Sequence, residues 1–266
     1  KPFYANPEFI NFIAEFTNDD VSTVRQVCFS ILGELMPYNP LDVSVVLRHS
    51  LVDYLFIFKN VSSIRLKARI LKTMPYLIAA CKTTVKPHSA DIIDASIATF
   101  QKYRDEQFIF ENFIEEDANT AILVGLTDSL TLMVEYVPEV IATKNELIPL
   151  LCDFLLMDQH RLFHLAILRF FYVLLTPPSN CLAYRTYAPR ILSTVTAFLA
   201  KTQSRKARIA VLKVAGAIGV LDVKTKFSLP LSSKTTIEDE EQVRQFFRPN
   251  DSFEHWDMTL LLHPST

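Results

Sequence analysis

The hydrophobic residues of this chain recur at helical spacing, and the clearest example lies over residues 43–58. Its apolar positions follow one another at steps of mostly three and four, which places them along one side of an α-helix. They are Val43, Val46, Leu47, Leu51, Tyr54, Leu55 and Phe58. The polar residues Asp42, Arg48, His49 and Asp53 fall on the other side. We therefore predict a helix that buries one face and exposes the other to water.

The same periodicity predicts paired helices along most of the chain. The first pair begins with segment 7–16, and the second joins the helix above to one over about 63–80. The last predicted helix, over 204–221, is apolar on nearly all sides beyond Lys213, so we expect neighbours on both of its faces. The remaining predicted pairs are 88–103 with 118–136, 144–157 with 159–175, and 189–200 with 204–221.

Capping residues mark where three of these helices begin. Asn6-Pro7 and Asn39-Pro40 each combine a favourable N-cap residue with a proline that suits the first helical turn. The segment Thr143-Lys144-Asn145-Glu146 has Thr followed three residues later by Glu, which is the spacing of a capping box. It predicts a helix that starts at Lys144.

An arginine recurs a few residues into the second helix of several pairs. Arg25, Arg65, Arg161 and Arg208 lie 40, 96 and 47 residues apart, and 96 is two steps of 48. A helix pair that repeats every 40 to 47 residues or so is typical of HEAT and armadillo arrays. We expect an all-α HEAT-repeat solenoid, a right-handed superhelix of about five antiparallel helix pairs plus the start of a sixth.

These arginines have two possible roles. The interpretation that we favour is structural, with each guanidinium bonded to an acid or a carbonyl of the neighbouring repeat. The alternative is a basic groove for an acidic partner peptide.

Gly33 and Gly216 each follow their arginine by 8 residues, which suggests the same close helix crossing in two repeats. We therefore expect Gly216→Leu to destabilise the protein far more than Gly125→Ala.

Two segments interrupt the helical pattern. Residues 104–117 interleave phenylalanines with acids, which fits either a docking motif or a solvated helix edge. Residues 223–250 are polar, and their serines and threonines beside acids indicate an exposed linker that phosphorylation could regulate. We predict a helical array over 1–222, this linker over 223–250, and the truncated start of a further repeat over 251–266. The absence of an initial methionine suggests a piece of a longer protein.

The composition agrees with stacked helices and disfavours other classes. Hydrophobic residues make up 50% of the chain, and only 4 glycines leave little material for phosphate-binding loops. A net charge of -2 argues against nucleic acid as a partner. No apolar run reaches the length of a membrane span. The cysteines form no CxxC motif, so we interpret them as buried free thiols of a reducing compartment; they are Cys28, Cys81, Cys152 and Cys181.

No motif in the sequence indicates catalysis. A P-loop, a nucleophile elbow, an HExxH helix and a kinase loop are all missing. His160 and His164 share a helix face, with Cys152 and Asp158 close in sequence. A zinc site needs three or four converging ligands, so we interpret this face as polar surface. We predict no catalytic, cofactor-binding or metal-binding residue and no cofactor, and the sequence identifies no particular protein-binding residues.

Several blocks of the sequence resemble the N-terminal HEAT array of the target of rapamycin (TOR) kinases. The blocks occur in the same order and at similar spacing over most of residues 5–226. They are Tyr38-Asn39-Pro40-Leu41-Asp42-Val43 with Leu47-Arg48 and Leu51, Ala68-Arg69-Ile70-Leu71 with Lys86-Pro87, Tyr184-Arg185 with Tyr187 and Pro189, and Leu212 through Gly216 and Gly219 to Leu221-Asp222. Val223 stands where the family usually has proline, and segment 104–117 also departs from the pattern.

The resemblance implies a parent that is a large atypical Ser/Thr protein kinase in nutrient and growth signalling. Its catalytic segments would lie far beyond this chain, so the chain itself is expected to be a non-catalytic, cytoplasmic scaffold that also reaches nuclear or endomembrane sites through its complex. The implied partners are a Raptor-type adaptor and a second TOR protomer. The alternative is a HEAT adaptor of another class: a nuclear transport receptor, a phosphatase scaffold or a chromatin-complex subunit.

Overall fold

Helices make up every regular element in the part of the chain that the structure describes. The computed structural model describes residues 4–105, 113–157, 160–176 and 181–221, and the all-α prediction is confirmed for them. The helices are α1 (Pro7–Glu15), α2 (Ser22–Leu35), α3 (Pro40–Asn60), α4 (Ile64–Leu71), α5 (Met74–Cys81), α6 (Ser89–Asp105), α7 (Phe113–Tyr136), α8 (Pro138–Ala142), α9 (Leu147–Leu156), α10 (Arg161–Leu175), α11 (Ala188–Lys201) and α12 (Arg205–Leu221). The predicted linker 223–250, the repeat start 251–266 and residues 106–112 of segment 104–117 lie outside the described residues.

Two of the predicted N-caps are confirmed. The Asn6 side chain accepts a hydrogen bond from the Phe9 backbone N–H at 2.7 Å, and α1 begins at Pro7. The Asn39 side chain accepts from the Asp42 backbone N–H at 3.3 Å, and α3 begins at Pro40. Each asparagine thus satisfies a backbone donor that has no partner inside its helix.

The predicted capping box at 143–146 is wrong. Thr143 ends the short helix α8, and its hydroxyl donates to the Val140 carbonyl at 2.7 Å instead of capping the next helix. Helix α9 starts at Leu147, and its N-cap residue Glu146 makes no capping hydrogen bond. The Glu146 carboxylate instead accepts from the Gln101 side chain at 3.1 Å, so a contact with α6 has replaced the local motif.

The helix predicted over 63–80 is two helices, α4 and α5. Pro75 lies in the first turn of α5 and has no N–H to donate to the Leu71 carbonyl, so the helical ladder stops there. The Thr73 hydroxyl donates to the Ile70 carbonyl at 2.9 Å at the break. The missing ladder bond explains why a continuous apolar pattern gives two short helices.

The helices lie in two rows. The first row contains α1, α3, α6, α9 and α11, and the second contains α2, the α4–α5 pair, α7, α10 and α12. In the second row α2 packs on α5, α4 and α5 pack on α7, α7 packs on α10, and α10 packs on α12. Each helix also contacts its partner in the other row, as α9 does with α10 and α11 with α12. The principal contacts of every described helix are therefore with helices near it in the chain.

Apolar side chains from adjacent pairs share one continuous core. Phe100 of α6, Phe154 of α9 and Phe163 of α10 are almost fully buried, and their ring centroids lie 5.4 to 6.2 Å apart. Fully burying a side chain of this size is worth roughly 1.5 to 3 kcal/mol. Because the three rings come from two successive helix pairs, neither pair could bury them alone.

Helix α12 packs through one side in the part of the chain that the structure describes, and neighbours on both of its faces stay a prediction. Ala207, Val211, Val214 and Ile218 are buried along one side of the helix. Ala215, Gly216 and Ala217 are only half-buried, so within the described residues one face packs and the rest is partly open.

A close helix crossing occurs at Gly125, the glycine for which we expected the milder effect. There the backbones of α7 and α4 approach one another, while Gly216 is half-buried. A Cβ at Gly125 would meet the Leu71 carbonyl oxygen and lie 2.7 Å from the carbonyl carbon. A Cβ at Gly33 would lie 3.1 Å from the Cα of Ala80, a milder contact between α2 and α5. Of these two backbone approaches, the tighter one is therefore at Leu71, the last residue of α4.

We expect Gly125→Ala to destabilise the protein more than Gly33→Ala. On an open helix surface alanine gains about 1 kcal/mol over glycine, so a net loss measures the clash. The backbone at Leu71 cannot move aside as a side chain can, and overpacking of this kind costs about 1 to 3 kcal/mol. Urea unfolding of both variants checks the order, and a Gly125→Ala variant as stable as the wild type would contradict this crossing.

Candidate functional site

A buried arginine joins the first two helix pairs. Arg25 of α2 is 2% exposed, and its guanidinium donates to the backbone carbonyls of Asp19 at 2.6 Å and of Arg69 at 2.9 Å. Arg69 of α4 donates to the same Asp19 carbonyl at 3.0 Å and pairs with the Asp20 carboxylate at 2.6 Å. Burial lowers the pKa of Arg25, and the nearby positive charge of Arg69 lowers it further. The structural role predicted for Arg25 is therefore confirmed.

The other three predicted arginines do not continue this arrangement. Arg65, Arg161 and Arg208 are exposed, and among the described residues none of them makes an ion pair or hydrogen bond to a neighbouring helix pair. The second arginine of the buried network is Arg69, four residues after Arg65. The repeat spacing was informative, but it did not identify which arginine of a helix points inward.

Ion pairs and hydrogen bonds instead connect successive elements of the first row. Lys59 of α3 pairs with Asp91 of α6 at 2.7 Å, and Arg190 of α11 pairs with Asp153 of α9 at 3.1 Å. Lys144, between α8 and α9, pairs with Asp94 of α6. Exposed pairs of this kind contribute only about 0 to 1 kcal/mol each, so they align the helices more than they stabilise them.

A cleft lies between α6 and the turn before α9. It has a volume of about 360 Å³ and contains the side chains of Asp94, Gln101, Lys144 and Glu146. Lys144 pairs with Asp94, and Gln101 donates to Glu146, so these polar groups already satisfy one another. The cleft offers neither an activated nucleophile nor a free acid–base pair, and we assign it no chemistry.

A titratable cluster lies between the second-row helices α7 and α10. The Asp128 carboxylate is 3.6 Å from the Arg169 guanidinium, and both side chains are largely buried. Burial raises the pKa of Asp128 to about 6, although the charge of Arg169 acts in the opposite direction. Burial also raises the pKa of Tyr76 and of Glu135, the other titratable groups close to the pair.

The two histidines serve different structural purposes. His160 is the N-cap of α10, and its Nδ1 accepts from the Leu162 backbone N–H at 3.3 Å. His164 is buried, with its ring centroid 4.9 Å from that of Phe198 and its Nε2 3.2 Å from the Met157 carbonyl. The described residues contain no group of three or more His, Cys, Asp and Glu placed to hold a metal ion.

The described cysteines are buried free thiols. Cys28, Cys81 and Cys152 form no disulfide. Burial raises the pKa of the Cys81 thiol to about 12, which makes it a poor nucleophile. The fourth cysteine predicted as a thiol, Cys181, has a side chain outside the described set.

Among the described residues, no helix is both long enough and apolar enough to cross a bilayer.

Exposed apolar side chains are a surface feature that we did not predict from the sequence. Twelve large hydrophobic residues of the described chain are exposed, and ten of them lie within residues 4–56. Four of those ten belong to α3: Leu41, Val45, Val52 and Phe56. The signal was present as two apolar i, i+4 pairs on the side of α3 assigned to polar residues. Exposed apolar surface of this extent is typical of contacts between proteins.

Comparison with known proteins gives one relevant similarity. The chain is 28% identical over 89 residues to the serine/threonine-protein kinase tor1 of Schizosaccharomyces pombe. The matched region is 34% of this chain and 4% of that kinase, so the chain spans a small fraction of its relative. No protein-family model matches the sequence. The match supports the expected relation to TOR at the level of the kinase as a whole and does not identify the region involved.

We expect Arg25→Met to cost on the order of 2 kcal/mol of unfolding free energy. The substitution keeps much of the side-chain volume and removes charged hydrogen bonds to the backbone carbonyls of Asp19, Asp20 and Arg69. Arg208→Met is the matched control, since Arg208 is exposed and such changes usually stay within about 0.5 kcal/mol. Denaturant unfolding of both variants measures the difference. Equal losses would remove the special role of Arg25.

We expect Asp128 to make the folded protein relatively more stable in mild acid. Its folded pKa of about 6 is above the ordinary value of 3.8, so between these pH values the folded state holds a proton that the unfolded state has released. This contribution to stability grows as the pH falls through 6 and is lost as the pH rises through it. Asp128→Asn removes it. When the pH is lowered from about 7 to about 5, the melting temperature of the variant should rise less, or fall more, than that of the wild type.

The exposed residue Asp105 supplies the control for this pH experiment. Its carboxylate pairs with the adjacent Arg104 at 3.0 Å, and its side chain is 65% exposed. Asp105→Asn should therefore follow the wild-type pH dependence. A parallel response of wild type and Asp128→Asn would show that the Asp128 carboxyl does not titrate in this range.

Proposed function

We propose that this chain is a non-catalytic HEAT-repeat scaffold segment of a TOR-type Ser/Thr protein kinase. In this role it holds other proteins in an assembly that serves nutrient and growth signalling in the cytoplasm. The parent protein would perform the phosphoryl transfer elsewhere in its chain, and the present segment contributes surfaces. No catalytic residue is assigned to it.

The observation that carries the proposal is the arrangement of helices in two rows with contacts between chain neighbours. A stack of this kind grows by adding pairs and leaves long faces of both rows available to partners. HEAT repeats have the same helix-pair unit, and the predicted pair period of about 40 to 47 residues is theirs. The polar groups of the cleft beside α6 are paired with one another, which suits a scaffold better than a catalyst.

Two sequence similarities support the relation to TOR. The sequence blocks from Tyr38 to Asp222 resemble the TOR N-terminal array, and the kinase tor1 matches over 89 residues. By this relation the partners are a Raptor-type adaptor and a second TOR protomer. Nucleic acid is not proposed as a partner, because the chain carries a net charge of -2.

A chimaera of Schizosaccharomyces pombe tor1 tests the proposal. We expect a kinase whose matching region has been replaced by the corresponding part of this chain to co-precipitate its adaptor as the unaltered kinase does. The matched control carries a HEAT segment of similar length from an unrelated protein, which should lose the adaptor. If the two chimaeras behave alike, the chain is a HEAT scaffold of another class. ATP turnover by the purified chain itself would contradict a non-catalytic role.

A further inference from the structure

Helix α3 carries a second apolar stripe on its outer side. Leu41, Val45, Val52 and Phe56 are 79%, 69%, 46% and 65% exposed. At 100° per residue they fall within an arc of about 60°, and at 1.5 Å per residue they extend over roughly 22 Å. These four residues are the outer stripe of α3. Its length matches about four turns of a helix packed alongside it.

The outer stripe is not a by-product of the packing of α3 against its neighbours. The residues that α3 buries lie on the opposite side of the helix; they are Val43, Leu47, Ser50, Leu51, Tyr54, Leu55 and Phe58. The described contacts of α3 with α1, α2, α4 and α5 are thus made by the other face. Leaving four large apolar side chains in water along a single line is unfavourable unless something covers them.

Two basic residues flank the middle of the outer stripe, and they differ in their pairing. His49 lies 3.4 Å from the Asp53 carboxylate, which compensates any charge on its ring. Arg48 is exposed on the other edge, and no acid of the described residues pairs with it. Lys59 at the end of the helix already pairs with Asp91 at 2.7 Å. The uncompensated charge beside the stripe is therefore that of Arg48.

This charge argues against a second copy of the chain as the occupant. The apolar positions are symmetric about the point between residues 48 and 49, so two antiparallel α3 helices would match apolar residues well. The same pairing would bring two Arg48 side chains together at the symmetry axis, and like charges across an interface cost affinity. A partner with an acid at that place would gain the contact instead.

We propose that the outer stripe of α3 docks an amphipathic helix of a partner protein, with apolar residues at matching spacing and an acidic residue opposite Arg48. This proposal deepens the assembly function proposed above and rests on it. The apolar residues supply the affinity, and the pairing with Arg48 fixes the register of the partner helix. Recognition of this kind is the general mode in which a helix packs its apolar face into a complementary surface.

Designed peptides test the surface directly with the full 266-residue chain. One peptide is a stable helix with leucines at the spacing of the outer stripe and a glutamate at its middle, and a second has lysine in place of that glutamate. We expect the glutamate peptide to bind about tenfold more tightly by fluorescence anisotropy, the factor that one close charge pair supplies. Arg48→Glu should reverse the preference between the peptides.

Variants of the exposed apolar residues complete the test. Phe56→Ser should weaken binding of the glutamate peptide about tenfold or more, because it removes a large apolar contact. Leu162→Ser, at a 51% exposed position of α10, should leave binding unchanged. Circular dichroism of each variant checks that it remains folded, and Val45→Ser replaces Phe56→Ser if it does not.

Three outcomes would overturn the proposal. Neither peptide binds; both bind equally, and Arg48→Glu has no effect; or the chain self-associates and Phe56→Ser abolishes the association, which would make a second copy the occupant. Loss of the adaptor in the tor1 chimaera with peptide binding intact would remove the TOR assignment and leave this surface. Retention of the adaptor without peptide binding would remove the proposed docking surface and leave the TOR assignment.

Discussion

The described structure depends on each helix pair sharing its apolar side with the next pair. A single amphipathic pair has too little surface to enclose rings such as Phe100, Phe154 and Phe163, whereas two successive pairs enclose them fully. Burial of this kind is the main favourable term in folding, so no pair is stable without a neighbour.

Two crossings of the second row depend on close approach of backbones. At two crossings small residues permit the contact: Gly33 against Ala80, and Gly125 against the Leu71 carbonyl. The second crossing coincides with the end of α4, where Pro75 withholds a backbone donor from Leu71. The break in the helix and the glycine opposite it thus belong to one local arrangement, which joins the second repeat to the third.

Polar groups divide between the two rows according to their surroundings. Inside, Arg25 links two repeats through backbone carbonyls, and Asp128 meets Arg169 where burial disfavours a free carboxylate. Outside, pairs such as Lys59 with Asp91 join successive first-row helices in water, where they add little stability. The outer face of α3 differs from these surfaces because four of its positions are apolar. That departure makes it the surface most suited to a protein partner.

The sequence by itself determined the helical class, most helix positions and the caps at Asn6 and Asn39, because periodicity and capping depend on residues close together in the chain. It also indicated a structural role for Arg25. Tertiary structure decided the rest: Glu146 bonds to Gln101 instead of capping α9, Arg69 rather than Arg65 joins Arg25, and Gly125 lies at a close helix crossing. These outcomes depend on which helix lies opposite, and a local spacing rule contains no information about that neighbour.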